Sequence, residues 1–200
     1  MPIDRSYNLI VTPTLVWQDV NNVGATIAYS QGVSAPQMPP IVNPGTGDVN
    51  LRGLPANSNF TNKVLITITL DQSQLKDING NTLPGGGRWA YDNEGTAPSL
   101  GGCFFCATYQ LGAPVNTAPI QIPNMRAGRT DTTPGSTVFI YYNPDNTRRG
   151  TAITLQFCLG LVLPNYGNYY ITIDPAVKGT GTGTSPMDGI ELYDGDVGPD

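Results

Sequence analysis

The amino-acid sequence predicts an all-β protein, an antiparallel β-sandwich with long Gly/Pro-rich loops, for which a jelly roll is one fitting topology. Glycine (24) and proline (18) are abundant, while charged residues make up 12% of the chain, about half the usual share. Several short apolar segments alternate with a period of two, which is typical of half-buried strands. No helical periodicity is sustained, so helix is the minority state.

The N-terminal part of the chain carries two predicted strands. Residues 7–12 and 14–17 alternate and are separated by Pro13, which indicates a strand that is kinked or lies at a sheet edge. Residues 25–29 predict the second strand. The Pro- and Gly-dense segment 31–48 then predicts a long loop that is functional or covers an edge.

The middle of the chain contains the clearest early strand. Residues 63–70 place valine, isoleucine and leucine on one face, which predicts a central position in a sheet. Residues 72–78 fit a single helical turn and a simple turn equally well. Residues 103–109 predict a buried strand, and the proline-containing segment 110–133 predicts a long crossover.

The C-terminal part predicts a strand, a turn and a hairpin. Residues 138–142 form the strand and residues 143–146, Asn-Pro-Asp-Asn, a strong turn. The alternation of residues 151–163 is the longest in the chain and predicts the best-paired strand. Residues 165–168 turn the chain into the strand 169–174, which completes the hairpin.

The length fits one domain, and the last residues differ in composition. We assign residues 1–178 to a β-sandwich domain and residues 179–200 to a flexible acidic tail. The first residues lack the pattern of a signal peptide, and no apolar run approaches the ~20 residues needed to cross a bilayer. The expected location is therefore the cytoplasm, without a membrane span.

Charge and residue types exclude several functions. A net charge of −5 repels phosphate backbones, so nucleic acid is not an expected partner. The chain contains no histidine, which excludes Ser-His-Asp and Cys-His catalysis as well as histidine-based metal sites. Cys103, Cys106 and Cys158 lie in strand-like segments and are expected to be reduced, buried thiols. We expect that the protein is not an enzyme.

Two groups of residues are candidates for ligand binding. Aromatic and acidic side chains come close together in one glycine-rich segment, as in sugar-binding loops, although core packing and solvated charge explain them as well. Oxygen ligands for calcium could come from the acidic tail, although a frayed terminus explains that cluster better. No other cofactor is expected. The glycan candidates are Trp89, Tyr91, Asp92 and Glu94, and the calcium candidates are Asp188, Glu191, Asp194 and Asp196.

Three segments resemble those of the PixA/AidA inclusion-body protein family. Residues 45–51, GTGDVNL, followed by residues 56–60, resemble the GTGDL-type segment of that family. Residues 134–141, PGSTVFIY, resemble its PGST strand, and residues 166–175, YGNYYITIDP, resemble its closing pattern. The order of the segments is the same, whereas the arginine-tryptophan pair and the closing tryptophan of the family are missing, the latter replaced by Ile173. The resemblance implies a cytoplasmic, non-enzymatic β-sandwich protein that assembles into inclusions.

The sequence thus favours a non-enzymatic β-sandwich protein that self-associates as a homo-oligomer or accumulates in inclusions. The low charged fraction supports close self-association independently of the resemblance. Two alternatives stay open. One is a carbohydrate-binding, lectin-like module with glycans as partners and calcium as a cofactor, and the other is a structural subunit of a capsid or filament.

Overall fold

A computed structural model describes residues 1–37, 39–90, 103–106, 125–129, 137–146, 149–150, 152–166, 169–173 and 175–183. Their regular structure is β-strand apart from two short 3-10 helices, Pro144–Asn146 and Pro164–Tyr166, which confirms the all-β prediction. None of the described helices is long and apolar enough to span a membrane. The strands are β1 (Ile3–Asp19), β2 (Asn22–Ala35), β3 (Val49–Asn50), β4 (Phe60–Leu70), β5 (Arg88–Trp89), β6 (Cys103–Cys106), β7 (Met125–Arg129), β8 (Thr137–Tyr142), β9 (Ala152–Leu163), β10 (Tyr169–Ile173) and β11 (Ala176–Thr180).

The strands form two mixed sheets. The five-stranded sheet has the order β2-β1-β4-β8-β7, and the six-stranded sheet has the order β10-β9-β11-β3, with β5 and β6 also paired to β9. Two pairs, β1 with β4 and β3 with β11, are parallel, so the antiparallel prediction does not hold for them. Parallel neighbours need a crossover connection, and the chain between β1 and β4 provides one through β2 and through β3 of the other sheet.

Both sheets contribute to one hydrophobic core. Alternate residues of β1, β4 and β8, among them Leu9, Ile66 and Ile140, are fully buried, as are Phe157 and Leu161 of β9. The period of two in these sequences is therefore the period of a strand with one face in the core. Burial of each such side chain stabilises the fold by about 1.5–3 kcal/mol relative to its exposure.

The first strand continues through its proline because β4 ends before it. The carbonyl of Val11 accepts a hydrogen bond from the N–H of Asp71, directly after β4, so Val11 faces β4. Pro13, two residues further, faces the same side, where β4 no longer lies. The missing N–H of proline therefore costs no ladder bond, and β1 is kept whole by its pairing with β2.

Strand β9 is the best-paired strand, as predicted. Strands β10 and β5 pair with its C-terminal part, β6 with its middle and β11 with its N-terminal part. The predicted hairpin of β9 with β10 is present and antiparallel. The central position predicted for residues 63–70 is also confirmed, because β4 is the third of five strands.

Three elements differ from the sequence-based expectation. β2 extends to Ala35 and takes the first residues of the predicted loop 31–48. Residues 72–78 contain turns, which is one of the two conformations that their sequence fits, and so they do not differ. β7, MRAGR, lies inside the predicted crossover and becomes a strand by pairing with β8, since its own sequence has no apolar alternation. β11, Ala176–Thr180, is a strand for which the sequence gives no signal, and it is held by pairing with β9 and β3.

Candidate functional site

Strand β2 lies at one end of the five-stranded sheet and has an open edge among the described residues. It is the terminal strand in the sheet order, and β1 is the one described strand that pairs with it. Its 14 residues, NVGATIAYSQGVSA, include no charged residue and no proline. Val33 on this strand is 86% exposed. Natural edge strands are commonly short, charged, interrupted by proline or covered, because an open edge can pair with another chain. The sequence of β2 uses none of the first three of these protections.

The direction of the β2 amides follows from its neighbour. Val11 faces β4, so the next residue, Thr12, faces β2, where it is paired with Ala28. In an antiparallel ladder such a pair exchanges hydrogen bonds, and the adjacent residues point the other way. The N–H groups of Ala25 and Ile27 therefore point away from β1. They are the groups that a further strand would meet.

The GTGD segment, residues 45–48, connects the start of β3 to β11. The carboxylate of Asp48 accepts a hydrogen bond from the N–H of Ala176 at 2.9 Å and forms an ion pair with Lys178, both on β11. β3 begins at the next residue, Val49, and runs parallel to β11. The segment of residues 45–51 is therefore bound to β11, which begins directly after the segment of residues 166–175.

The loop before β3 is also held against β2. The side-chain oxygen of Asn43 accepts hydrogen bonds from the N–H groups of Gly45 and Thr46. Gly47 has a positive φ of 74°, and a Cβ atom there would lie 2.5 Å from ring carbons of Tyr29 on β2. Only glycine suits both the backbone angle and the contact. The loop thereby packs against a β2 side chain.

A buried arginine lies at the start of the core face of β1. Arg5 is 3% exposed, and its Nε and Nη2 donate to the carbonyl oxygens of Thr61 at 3.0 Å and Pro55 at 2.9 Å. Its Nη1 has no hydrogen-bond partner. Both partners are neutral, so the guanidinium charge has no counter-charge among the described residues. Buried charges are costly unless they are paired.

A buried tyrosine shares the cavity that Arg5 lines. The hydroxyl of Tyr142 on β8 has no hydrogen-bond partner. Burial raises the pKa of Tyr142 above its ordinary value of 10, although Arg52 acts in the opposite direction and Asp145 in the same one. The group is therefore a neutral phenol at physiological pH and can donate a hydrogen bond. The cavity has a volume of about 240 Å³.

The structure describes one of the four predicted glycan-binding residues, Trp89. Trp89 of β5 is 1% exposed and packs in the core, with an indole N–H that has no partner. Tyr91, Asp92 and Glu94 lie outside the described residues, so sugar binding by this group stays a prediction. Tyr166 is half-buried, with its ring centroid 5.1 Å from that of Trp17.

The predicted metal ligands are not tested either. Among the described residues no cluster of cysteine, aspartate or glutamate could hold a metal ion. The calcium candidates Asp188, Glu191, Asp194 and Asp196 lie outside the part of the chain that the structure describes, as do the side chains of the three cysteines. In the backbone, Cys103 and Cys106 bound β6, which pairs with the part of β9 that contains Cys158.

Sequence reasoning missed the open edge and the buried arginine. The absence of charge from residues 22–35 is readable in the sequence, but the position of that strand at the end of the sheet is not. Arg5 has the same parity as Tyr7, Leu9 and Val11, which places it on their face of β1. That alternation was the available signal for a buried charge.

Comparisons with known proteins add one distant likeness. No family model matches the chain, and no curated protein matches it. Among solved structures, the crystal structure of an inclusion body protein (PixA) from Burkholderia cenocepacia is 12% identical, covers 91% of this chain and 98% of its own, and gives a TM-score of 0.32. It carries the name of the family that the three sequence segments resemble. A TM-score this low transfers no residue and no activity to this chain.

Proposed function

We propose that this chain is a non-enzymatic structural protein that self-associates by pairing β2 with β2 of a second copy. The observation that carries the proposal is the edge itself, 14 residues long, without charge and without proline. Edge strands of this kind are templates for strand addition. Exposed Val33 adds apolar surface at the same strand.

A second copy of the chain fits this edge because β2 is self-complementary. Antiparallel pairing of two identical strands places the same surface on both sides of a twofold axis, which gives a closed dimer. Directly opposite residues would all be uncharged, so no like charges meet across the axis. The outward N–H groups of Ala25 and Ile27 would find carbonyl partners on the other copy. Each new backbone hydrogen bond contributes about 1 kcal/mol.

The surface chemistry supports dense accumulation of such dimers. A net charge of −5 on 200 residues, with 12% charged residues, provides little repulsion between copies. In the cell, we expect these dimers to accumulate in the cytoplasm as inclusions. We take the two sheets as the two layers of a β-sandwich, with β2 at the exposed end of one layer.

The test is the mass of the protein in solution over a range of concentrations. We expect concentration-dependent dimers for the wild type by light scattering coupled to size-exclusion chromatography. Val33→Lys places a charge on β2 and should shift the protein to monomer without loss of stability, because the side chain is exposed. Ile78→Lys is the matched control, since Ile78 is also exposed, at 46%, but lies in a turn outside β2.

Two results would contradict the proposal. A wild type that stays monomeric at every concentration would exclude self-association under those conditions. If Val33→Lys and Ile78→Lys had equal effects, the contact would not be at β2. A dimer that persists in both variants would point to another surface of the chain.

A further inference from the structure

A pocket of about 550 Å³ lies on the outer face of the six-stranded sheet. Val49 of β3 and Val177 of β11 are buried in the core, so their neighbours in sequence point to the opposite face. Two of these neighbours, Asn50 and Lys178, are directly opposite each other, and both line the pocket together with Asp48. The volume is within the range of roughly 300–1,000 Å³ that small-molecule sites have.

The polar side of the pocket carries two positive charges. Lys178 Nζ forms an ion pair with Asp48, which leaves two of its three N–H groups for another acceptor. The Lys178 side chain is 37% exposed and is therefore accessible from the pocket. Arg52 supplies the second charge, while its Nε donates to the carbonyl of Gly179 and its Nη2 to the hydroxyl of Thr154.

These charges favour a ligand with a single negative charge. Asp48 is the one acidic residue among the described residues that line the pocket, so the two cations leave one net positive charge. Its carboxylate already accepts hydrogen bonds from the N–H of Ala176 and from Lys178. A carboxylate on a ligand would share Lys178 with Asp48, and Asp48 would act as its competitor.

The wall around the charges is apolar and rigid. Four exposed prolines line the pocket, and their rings cannot rotate away from it. Proline rings pack on the flat faces of aromatic rings, as Pro-rich peptides do in aromatic-lined grooves. Here the prolines belong to the protein, so the complementary aromatic ring would belong to the ligand. The prolines are Pro39, Pro40, Pro44 and Pro55.

The proline wall is held in position before any ligand binds. The N–H of Asn43 donates to the carbonyl of Asp48, and the N–H of Asn50 donates to the carbonyl of Ile41, each at 2.8 Å. These bonds pair residues 41–43 with residues 48–50. A wall that is already fixed avoids the entropic cost of ordering it on binding.

We propose that this pocket binds a small aromatic monocarboxylate, with its carboxylate at Lys178 and its ring against the prolines. The charge of Arg52 adds to the attraction for the carboxylate. The pocket belongs to the six-stranded sheet and β2 to the five-stranded one, so the proposal does not depend on self-association.

The first test is an NMR titration of the full wild-type chain with sodium benzoate, compared with sodium chloride at equal ionic strength. We expect saturable shifts at the amides of residues 41–43 and 52–54. Benzamide has the same ring without the charge and should bind about tenfold more weakly or less, because a hydrogen bond to a charged group is lost. Cyclohexanecarboxylate keeps the charge without the aromatic face and should bind about threefold more weakly.

The second test uses two variants that lose the same ion pair. Lys178→Met should reduce the affinity for benzoate about tenfold or more, because the ligand loses its charged donor. Asp48→Asn should instead raise the affinity about two- to fivefold, because the competing charge is removed while the amide oxygen can still accept from Ala176. A purely structural role of the ion pair would change both affinities in the same direction. Lys76→Met, an equal change of charge at an exposed position outside the named strands, should bind like the wild type.

The wild-type titrations keep the proposal testable even if a variant does not fold. It fails if benzoate shifts these amides no more than chloride or benzamide does, or if Lys178→Met and Asp48→Asn change the affinity alike. Cyclohexanecarboxylate that binds as tightly as benzoate would contradict the aromatic class of the ligand.

Discussion

The two ends of the five-stranded sheet differ in length and charge. β2 at one end has 14 residues and no charged side chain, whereas β7 at the other end has five residues, two of which are arginines. Both strands pair with one described neighbour in the sheet, β1 and β8 respectively. Short strands and charged residues are the usual protections of an edge against pairing with other chains. β7 has both protections and β2 has neither, although the two strands belong to the same sheet.

This difference allows the proposed assembly to form at one edge of the sheet and not at the other. A dimer formed through β2 leaves two copies of β7 at its outer ends, and the arginines there would oppose each other if two dimers met. The assembly would therefore stop at two copies unless another surface contributes. A sheet with one uncharged edge and one charged edge therefore limits the number of copies that can assemble.

The largest effect is expected from removal of the β7 charges. Arg126→Thr combined with Arg129→Thr should make both ends of the sheet open, and two different twofold contacts generate linear polymers instead of closed dimers. The mass measured by light scattering should rise without limit as concentration increases. Arg149→Thr combined with Lys76→Thr changes the net charge by the same amount at exposed positions outside the named strands and should stay dimeric.

If the double variant Arg126→Thr, Arg129→Thr stays dimeric, charge is not what distinguishes β7 from β2. In that case length and not charge protects β7, because a five-residue strand offers few hydrogen bonds to a partner. The filament alternative for this chain would gain support from the opposite result. A wild type that polymerises would show that β7 is open despite its arginines.

The sequence alone predicts the strands with strong alternation. Residues 63–70 and 151–163 become β4 and β9 with the pairing expected, because a strand with one face in the core must repeat with a period of two. β7 and β11 are missed since MRAGR and AVKGT have no such period, and their conformation comes from the neighbours that they pair with.

The sites are harder to predict from sequence than the strands. Trp89 is interpreted as a loop aromatic for sugar stacking, because its segment is rich in glycine, yet its ring is buried by pairing of β5 with β9. The meeting of Arg5 and Tyr142 at one cavity depends on the register between strands that are far apart in sequence, and register is not encoded in either strand alone. The edge position of β2 likewise depends on which strands pair, and the sequence of β2 alone does not encode it.

The second-largest effect distinguishes the β2 amides that face β1 from those that face outward. Ala28→Pro removes an N–H that faces β1, so it should lower the free energy of unfolding by at least about 1 kcal/mol through the lost ladder bond. Ala25→Pro removes an N–H that faces outward and should cost less. It should nevertheless weaken the dimer. Urea unfolding and light scattering measure the two effects, and equal unfolding costs would show that the assigned direction of the amides is wrong.

The smallest effect concerns the turn that leads into β2. The carboxylate of Asp19 accepts hydrogen bonds from the N–H of Asn21 at 2.7 Å and the side-chain amide of Asn22 at 2.6 Å. The hydrogen bond from the Asn22 side chain, followed by that from the Asn21 backbone, lowers the pKa of Asp19 below its ordinary value of 3.8. Because the folded pKa is the lower one, this stabilisation is complete above pH 3.8 and is lost as the pH falls through the folded pKa.

Hydrogen exchange at the amides of the turn and of β2 measures this loss. We expect faster exchange for Asp19→Asn than for the wild type at neutral pH, and no difference once the wild-type carboxylate is protonated, because both side chains are then uncharged. Exchange at β7 should not respond to the substitution at either pH, since β7 lies at the other end of the sheet. A variant whose β2 exchanges like the wild type at neutral pH would show that the register of this open edge is held by β1 alone, without help from the turn.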